Sequence, residues 1–273
     1  MIDKLQQAEM FHKLVEAAKV IDLTVLLSKD YPAASAVGQP FCHFLSDFYD
    51  SPGTLDIGPY YDFTIILNEH TGTHCDAPIH MIPDIDKWPH IPHAGETGRI
   101  TMDKVPILQT IGPADVIDCT ALPGTTGSGI SPEITVQHIQ DWEQIHGSIE
   151  REDIVLLYTG WTNLYYKKFP EGFKLERDCR YYKTFPGYPA PNGETVEYLV
   201  GKGVKHIGVD TASAGLIQDD NMPHWKALEK GVILTEKLCN LDLLPPKGAY
   251  YFFCGLKIEG GSGSPGRAFA LIW

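Results

Sequence analysis

The chain contains a dense cluster of side chains that commonly bind metals. Three histidines and one aspartate lie within eleven residues, at His70, His74, Asp76 and His80. Imidazole nitrogens combined with a carboxylate suit zinc, manganese or iron better than calcium or magnesium, which prefer oxygen-only shells. Pro78 argues against a continuous helix, and Gly72 relaxes the backbone where the chain must turn. The spacing therefore predicts a folded loop that aims several ligands at one divalent metal.

The cluster also divides into two chemical roles. If His70, His74 and Asp76 hold one metal, coordination positions stay open for water and substrate, as a catalytic site requires. His80, near the metal but not on it, would take a proton from the bound water and pass it to the leaving group. The alternatives are that His80 is a fourth ligand, or that these histidines are hydrogen-bonded core or surface residues.

The same segment carries a family resemblance. His70-Thr-Gly-Thr-His-Cys-Asp-Ala-Pro-Ile-His80 resembles the signature of the cyclase family, which includes bacterial kynurenine formamidases and isatin hydrolases. The resemblance runs from Asp22 to the C-terminus through 208–213, 224–236 and 263–267. It implies a mixed β/β/α fold with a barrel-like sheet core, assembled as a homodimer or homotetramer.

The resemblance also implies residue roles that spacing alone does not supply. His70, His74 and Asp76 correspond to ligands of one metal, and Asp76 with His224 and Glu236 corresponds to a second. His80 corresponds to the acid/base. Two weaker correspondences complete the expected site. Tyr31 falls where an aromatic residue lies against the substrate ring, or is a loop anchor. Asp210 is a helix cap or a partner that orients a ligand histidine.

The elements around the cluster indicate a mixed α/β domain covering residues 1–273. Apolar or β-rich runs predict strands at 20–27, 61–67, 114–119, 153–158, 204–209, 250–258 and 268–273. Capping patterns predict helices at 131–146, 192–202 and 222–230, after an N-terminal helical extension within residues 1–20. The cluster follows the run at 61–67, so we expect it to begin at a strand end.

Two segments show neither pattern. Residues 28–54 are rich in Pro, Gly, Ser and aromatics, and residues 163–191 interleave basic residues with Tyr, Phe and Pro. Long irregular segments inside a compact domain are usually functional, so we expect pocket walls or subunit contacts. A surface excursion is the alternative. The aromatic-rich insertion 163–191 and the N-terminal helix depart from the compact formamidases, which leaves the substrate open.

Composition limits the classes of partner. The chain has 273 residues, 43% hydrophobic, and a formal charge of −13, which disfavours nucleic acid and anionic membranes and favours small molecules. Six cysteines without a CxxC pair indicate reduced thiols in a cytoplasmic protein. No run reaches the roughly 18 apolar residues of a membrane span, and the first residues lack the features of a signal peptide.

These observations lead to a functional hypothesis. The sequence predicts a metal-dependent amidohydrolase acting on a small aryl formamide, cyclic imide or lactam, with zinc or manganese and one or two ions per subunit. A metal-dependent lyase or cyclase is the alternative, and a non-catalytic metal-binding protein is a third hypothesis. The glycine-rich stretches 124–129 and 260–264 lack the phosphate-loop register, and no Gly-x-Ser-x-Gly elbow indicates a serine hydrolase.

Overall fold

The computed structural model describes residues 3–33, 41–47 and 61–273. The helices are α1 (Lys4–Ala17), α2 (Val136–His146), α3 (Trp161–Tyr165), α4 (Gly193–Lys202) and α5 (Asn221–Leu228). The strands are β1 (Lys19–Asp22), β2 (Cys42–Asp47), β3 (Asp62–Ile66), β4 (His74–Asp76), β5 (Ile111–Asp118), β6 (Glu133–Ile134), β7 (Ile154–Tyr158), β8 (Ala190–Pro191), β9 (His206–Val209), β10 (Ile233–Glu236), β11 (Ala249–Gly255) and β12 (Gly263–Ile272).

The main sheet closes on itself. Its strand order is β1-β12-β11-β5-β7-β9-β10-β4, and β4 also pairs with β12. Seven strands therefore form a ring, and β1 pairs with the C-terminal part of β12, beyond the residues that pair with β4. The pairs β5–β7, β7–β9 and β9–β10 are parallel, while β4 is antiparallel to both of its neighbours. The expected mixed α/β fold with a barrel-like sheet core is confirmed.

Alternation along the strands separates two hydrophobic cores. In β7, Ile154 and Leu156 belong to the cluster enclosed by the ring, whereas Val155 and Leu157 belong to the cluster beneath the helices. Side chains of α2, α4 and α5 pack in the second cluster. Strands that are buried on both faces read as continuous apolar runs, which is why 153–158 was recognisable in the sequence.

Most predicted elements are present, with corrected boundaries. The helix predicted at 131–146 begins at Val136, because Glu133 and Ile134 pair with Ala190 and Pro191 to form the small β6–β8 sheet. The predicted strand 20–27 is a strand only over Lys19–Asp22. The helix predicted at 192–202 is confirmed, with Asn192 capping its start and Gly203 following its end.

The insertion 163–191 is not irregular throughout. It begins inside α3, and continues through a 3-10 helix at Glu171–Leu175 and a π-helical turn at Arg177–Tyr181. Much of the other expected irregular segment, 28–54, lies outside the described residues. No helix within the described ranges is long and apolar enough to cross a membrane.

Candidate active site

Strand β4 places two predicted ligands on one face. Side chains alternate along a strand, so His74 and Asp76 point to the same side and Cys75 to the other. Cys75 packs in the cluster inside the ring, while His74 and Asp76 are 2% and 1% exposed. The prediction that a folded loop converges the ligands is therefore partly wrong, because a three-residue strand aligns two of them.

The partner strand brings in a third ligand. In the antiparallel register of β10 and β4, Glu236 lies directly opposite His74. Residues at opposite positions have neighbouring side chains, so sheet pairing alone joins two residues that are 162 positions apart. The Glu236 carboxylate also accepts a hydrogen bond from the backbone N–H of Ala214 at 2.7 Å, which holds it in place.

Helix α5 contributes His224. Its Nδ1–H donates to the carbonyl oxygen of Asp220 at 2.7 Å, which fixes the ring orientation. The other nitrogen, Nε2, then lies 3.2 Å from Glu236 Oε1 and 3.9 Å from Asp76 Oδ2. A backbone carbonyl on one ring nitrogen is the usual way to aim the other nitrogen at a metal.

His70 approaches from the loop before β4. Its ring lies between the Asp76 carboxylate, 2.8 Å from Nδ1, and the Ser262 hydroxyl, 3.0 Å from Nε2. Ser262 in turn donates to Glu69 at 2.7 Å. A Cβ atom at Gly263 would lie 2.7 Å from His70 Cε1, so only glycine lets β12 pass this close to the ring.

These side chains form two candidate ligand groups that share Asp76. One contains His70, His74 and Asp76, the other contains Asp76, His224 and Glu236, and within each group the ligand atoms lie within 4.8 Å of one another. His74 Nε2 is 3.6 Å from Asp76 Oδ1 and 3.4 Å from Glu236 Oε2. These distances between ligand atoms are long for hydrogen bonds. They match the spacing of two ligand atoms that each lie about 2.1 Å from one tetrahedrally coordinated ion. The residues therefore fit a divalent first-row metal.

The electrostatics of the site favour bound cations. Burial opposes ionisation of Glu236, but the interactions with the His224 and His74 rings outweigh it and hold its pKa well below the usual range. Burial likewise opposes charge on His224, yet the hydrogen bond and charge of Glu236 raise its pKa to about 9. A divalent metal would compete with that proton for Nε2, since metal ligands bind in their deprotonated form.

His80 lies beside both groups without belonging to either. Its ring centroid is 4.1 Å from that of His70 and 6.2 Å from that of His224. Burial lowers the pKa of His80, and Asp76 opposes the shift only in part. The neutral imidazole therefore prevails near neutral pH, and a neutral imidazole can accept a proton.

A cavity of about 250 Å³ opens over these residues. Its wall includes Glu176, Arg180 and Tyr181, all from the insertion 163–191. Arg180 is held in place by Asp220, 2.5 Å from its Nη2, and by the Tyr188 hydroxyl, 3.1 Å from its Nη1. Part of the insertion is thus a wall of the site, which was one of the two roles expected from its composition.

The two weaker candidates lie in different surroundings. Tyr31 stacks on Tyr166 with ring centroids 5.7 Å apart, and it is absent from the described lining of the cavity. Asp210 accepts hydrogen bonds from Thr159 and from the N–H of Gly160, which anchors the start of α3. None of these Asp210 contacts within the described residues orients a ligand histidine, so the cap-like alternative describes it better.

Several site residues were missing from the sequence prediction. Ser262 and Glu69 position His70, Arg180 shapes the wall, and Lys237 lines the cavity. Glu69 and Lys237 are next to predicted ligands in the sequence, and this adjacency is the one signal that could have indicated them. Ser262 and Arg180 reach the site through tertiary pairing and gave no local signal.

Comparisons with known proteins agree with this geometry. A family model named Cyclase, described as "Putative cyclase", matches residues 21–215. An isatin hydrolase of Roseibium aggregatum is 32% identical over 93% of this chain and 92% of its own length. A kynurenine formamidase of Salinibacter ruber is 28% identical over 74% of this chain and 76% of its own length.

Structural similarity extends over nearly the whole chain. The structure of isatin hydrolase A from Ralstonia solanacearum superposes with a TM-score of 0.78 at 30% identity, covering 99% of this chain and 98% of the other. The family model ends before His224 and Glu236, so their place in the site is supported by their contacts with Asp76 and His74. The chain therefore belongs to the cyclase family and is a hydrolase.

Proposed function

We propose that this protein hydrolyses a small amide, namely an aryl formamide, a cyclic imide or a lactam, with zinc or manganese as its metal. The observation that carries the proposal is a pair of ligand groups sharing Asp76 at the base of a cavity, with His80 next to them but outside both. When bound, such a metal acidifies water and polarises a carbonyl group.

The protein's own residues then manage the protons. His80 is neutral near pH 7 and lies against His70, so it accepts the proton of the attacking water and donates it to the departing nitrogen. The carbon–nitrogen bond breaks and a carbon–oxygen bond forms, which gives a carboxylate and an amine from a formamide or lactam, and a carboxylate and an amide from a cyclic imide. The neighbouring rings of His70 and His224 hold His80 close to the ligand groups.

The cavity supports a compact substrate. Its volume of about 250 Å³ lies near the lower end of ligand pockets, which hold drug-sized molecules from ~300 Å³ upwards. We propose that the wall from the insertion, with Arg180 fixed by Asp220, selects among such amides. Tyr31 remains a proposed contact to the substrate ring.

A substrate panel tests the proposal. Protein reconstituted with zinc or with manganese would be assayed against N-formyl aryl amines, isatin-type lactams and cyclic imides, with elemental analysis of the protein as purified. We expect metal-dependent turnover of at least one class and none after chelation. Full activity in metal-free protein, or no turnover of any class, would contradict the proposal.

We also propose a homodimer or homotetramer working in the cytoplasm. None of the residues of α1 is buried, and the β2–β3 hairpin exposes Phe44, Leu45, Ile65 and Ile66 by about half each. An isolated two-stranded hairpin is marginally stable, so we propose that a second copy of the chain covers these exposed apolar side chains. Light scattering that gives a monomer mass would contradict this assembly.

The six free thiols agree with a reducing compartment, which cell fractionation would test.

A further inference from the structure

Lys237 has an unusual position for a lysine. Its side chain is 2% exposed, which makes it one of the largest fully buried side chains of the described residues. Lysine is almost never buried so completely unless its charge is paired, because removing an ammonium group from water is costly. No hydrogen bond or ion pair of this ammonium group is formed with the part of the chain that the structure describes.

The backbone directs this residue toward the site. Lys237 follows Glu236 at the end of β10, and strict alternation would place the two side chains on opposite faces. Lys237 instead adopts φ = 55°, a left-handed conformation that interrupts the alternation. Its N–H donates to Thr211 O at 3.0 Å, and its carbonyl accepts from Thr73 Oγ1 at 2.6 Å. Strained conformations that are held this firmly tend to occur at functional sites.

The ammonium group has access to the cavity. Four polar side-chain atoms are fully enclosed without a partner among the described residues, and the Lys237 ammonium is not one of them. The ammonium group is therefore not fully enclosed, and Lys237 lines the cavity shared with His80, His224 and Glu236.

Three carboxylates at the site face other nitrogen atoms, and a fourth, Glu176, lies in the wall formed by the insertion. Asp220 pairs with Arg180, while Asp76 and Glu236 face histidine nitrogens. No carboxylate within the described ranges lies within 4 Å of the Lys237 ammonium. A metal beside it would add positive charge, so an anion that enters the cavity would find a cationic group with no carboxylate partner this close.

We propose that Lys237 binds the carboxylate group that amide hydrolysis releases, and so orients the product, and the carbonyl from which it forms, over the ligand groups. The chemical class that it recognises is a small carboxylate, for which benzoate serves as a compact aromatic probe. This inference rests on the proposed function for the source of the carboxylate, although the recognition itself requires no turnover.

Calorimetric titration of the metal-loaded protein with benzoate and with benzamide tests the proposal, because these two probes differ in charge but hardly in shape. In Lys237→Met, which keeps the length of the side chain, we expect the Kd for benzoate to rise ~10-fold or more, as expected for one lost charge-assisted hydrogen bond. The Kd for benzamide should stay within about 2-fold of wild type. Lys237→Arg should recover most of the benzoate affinity.

Lys230→Met is the matched control, because it removes the same charge from a side chain that is 62% exposed. It should leave both affinities unchanged. The proposal is overturned if Lys237→Met binds benzoate as tightly as wild type, if both probes weaken equally, or if the variant loses its metal. A Lys237-dependent preference for benzoate in a protein that hydrolyses none of the panel would contradict only the proposed function.

Discussion

Asp76 belongs to both candidate ligand groups, whereas Glu236 belongs to one. Replacing Asp76 by Asn keeps the size of the side chain but leaves neither group with three ligands. We therefore expect Asp76→Asn to retain almost no metal, and Glu236→Gln to retain the ion held by His70, His74 and Asp76. Wild type should bind up to two ions per subunit, one for each group.

The effect on activity follows from what the metal contributes. Metal ions supply several kcal/mol of transition-state stabilisation, and a loss of ~4 kcal/mol corresponds to a ~10³-fold fall in rate. Elemental analysis after dialysis against zinc or manganese measures the metal, and turnover of the best panel substrate measures the activity. Asp141→Asn, an exposed carboxylate on α2, is the control. Equal metal content in Asp76→Asn and Glu236→Gln would refute the shared-ligand arrangement.

Three further predictions concern proton transfer, pH and backbone strain. His80→Ala should keep its metal while turnover falls ~10²–10⁴-fold, and full activity would remove His80 from the mechanism. Burial lowers the pKa of His206 to about 3, so its neutral ring contributes stability that is present above pH 6.5 and lost as the pH falls towards 3. Between about pH 7 and pH 5 this loss amounts to ~2 kcal/mol, and urea titrations of His206→Gln should show a pH dependence weaker by that amount. Gly72→Ala should lower the free energy of unfolding by ~1–3 kcal/mol, because φ is 63° and the new Cβ would meet the Leu27 side chain. Gly231→Ala, with φ = 77° and open space around it, should lower the free energy of unfolding by less. Equal losses of stability in the two variants would contradict a steric effect of Leu27.

The sequence was most informative where the chemistry is local. The eleven-residue cluster showed ligand types at high density, and its position after an apolar run indicated a strand end. Pairing between distant strands left no such signal. His74 lies opposite Glu236 because β4 closes the ring between β10 and β12, a register that depends on the whole sheet. Resemblance to the family supplied His224 and Glu236, and the structure brings both to Asp76.

The remaining errors have similar physical causes. Ser131 and Pro132 look like a helix start, but the next two residues pair with Ala190 and Pro191, and this tertiary contact overrides the capping pattern. The insertion 163–191 looked irregular because its short helical turns are stabilised by packing around Trp161 and Tyr188 rather than by periodicity. Lys237 was not recognised because burial and the absence of a partner are properties of the folded chain.

Hydrolysis in oxygen-18 water distinguishes attack by water from elimination at this site. Metal-loaded protein would be given the best substrate of the panel, and the products would be analysed by mass spectrometry. Because water attacks the amide carbonyl, we expect one labelled oxygen in the released carboxylate, and ~10²–10⁴-fold less product from His80→Ala over the same time. An unlabelled product would show elimination or cyclisation instead, and would contradict hydrolysis at this site.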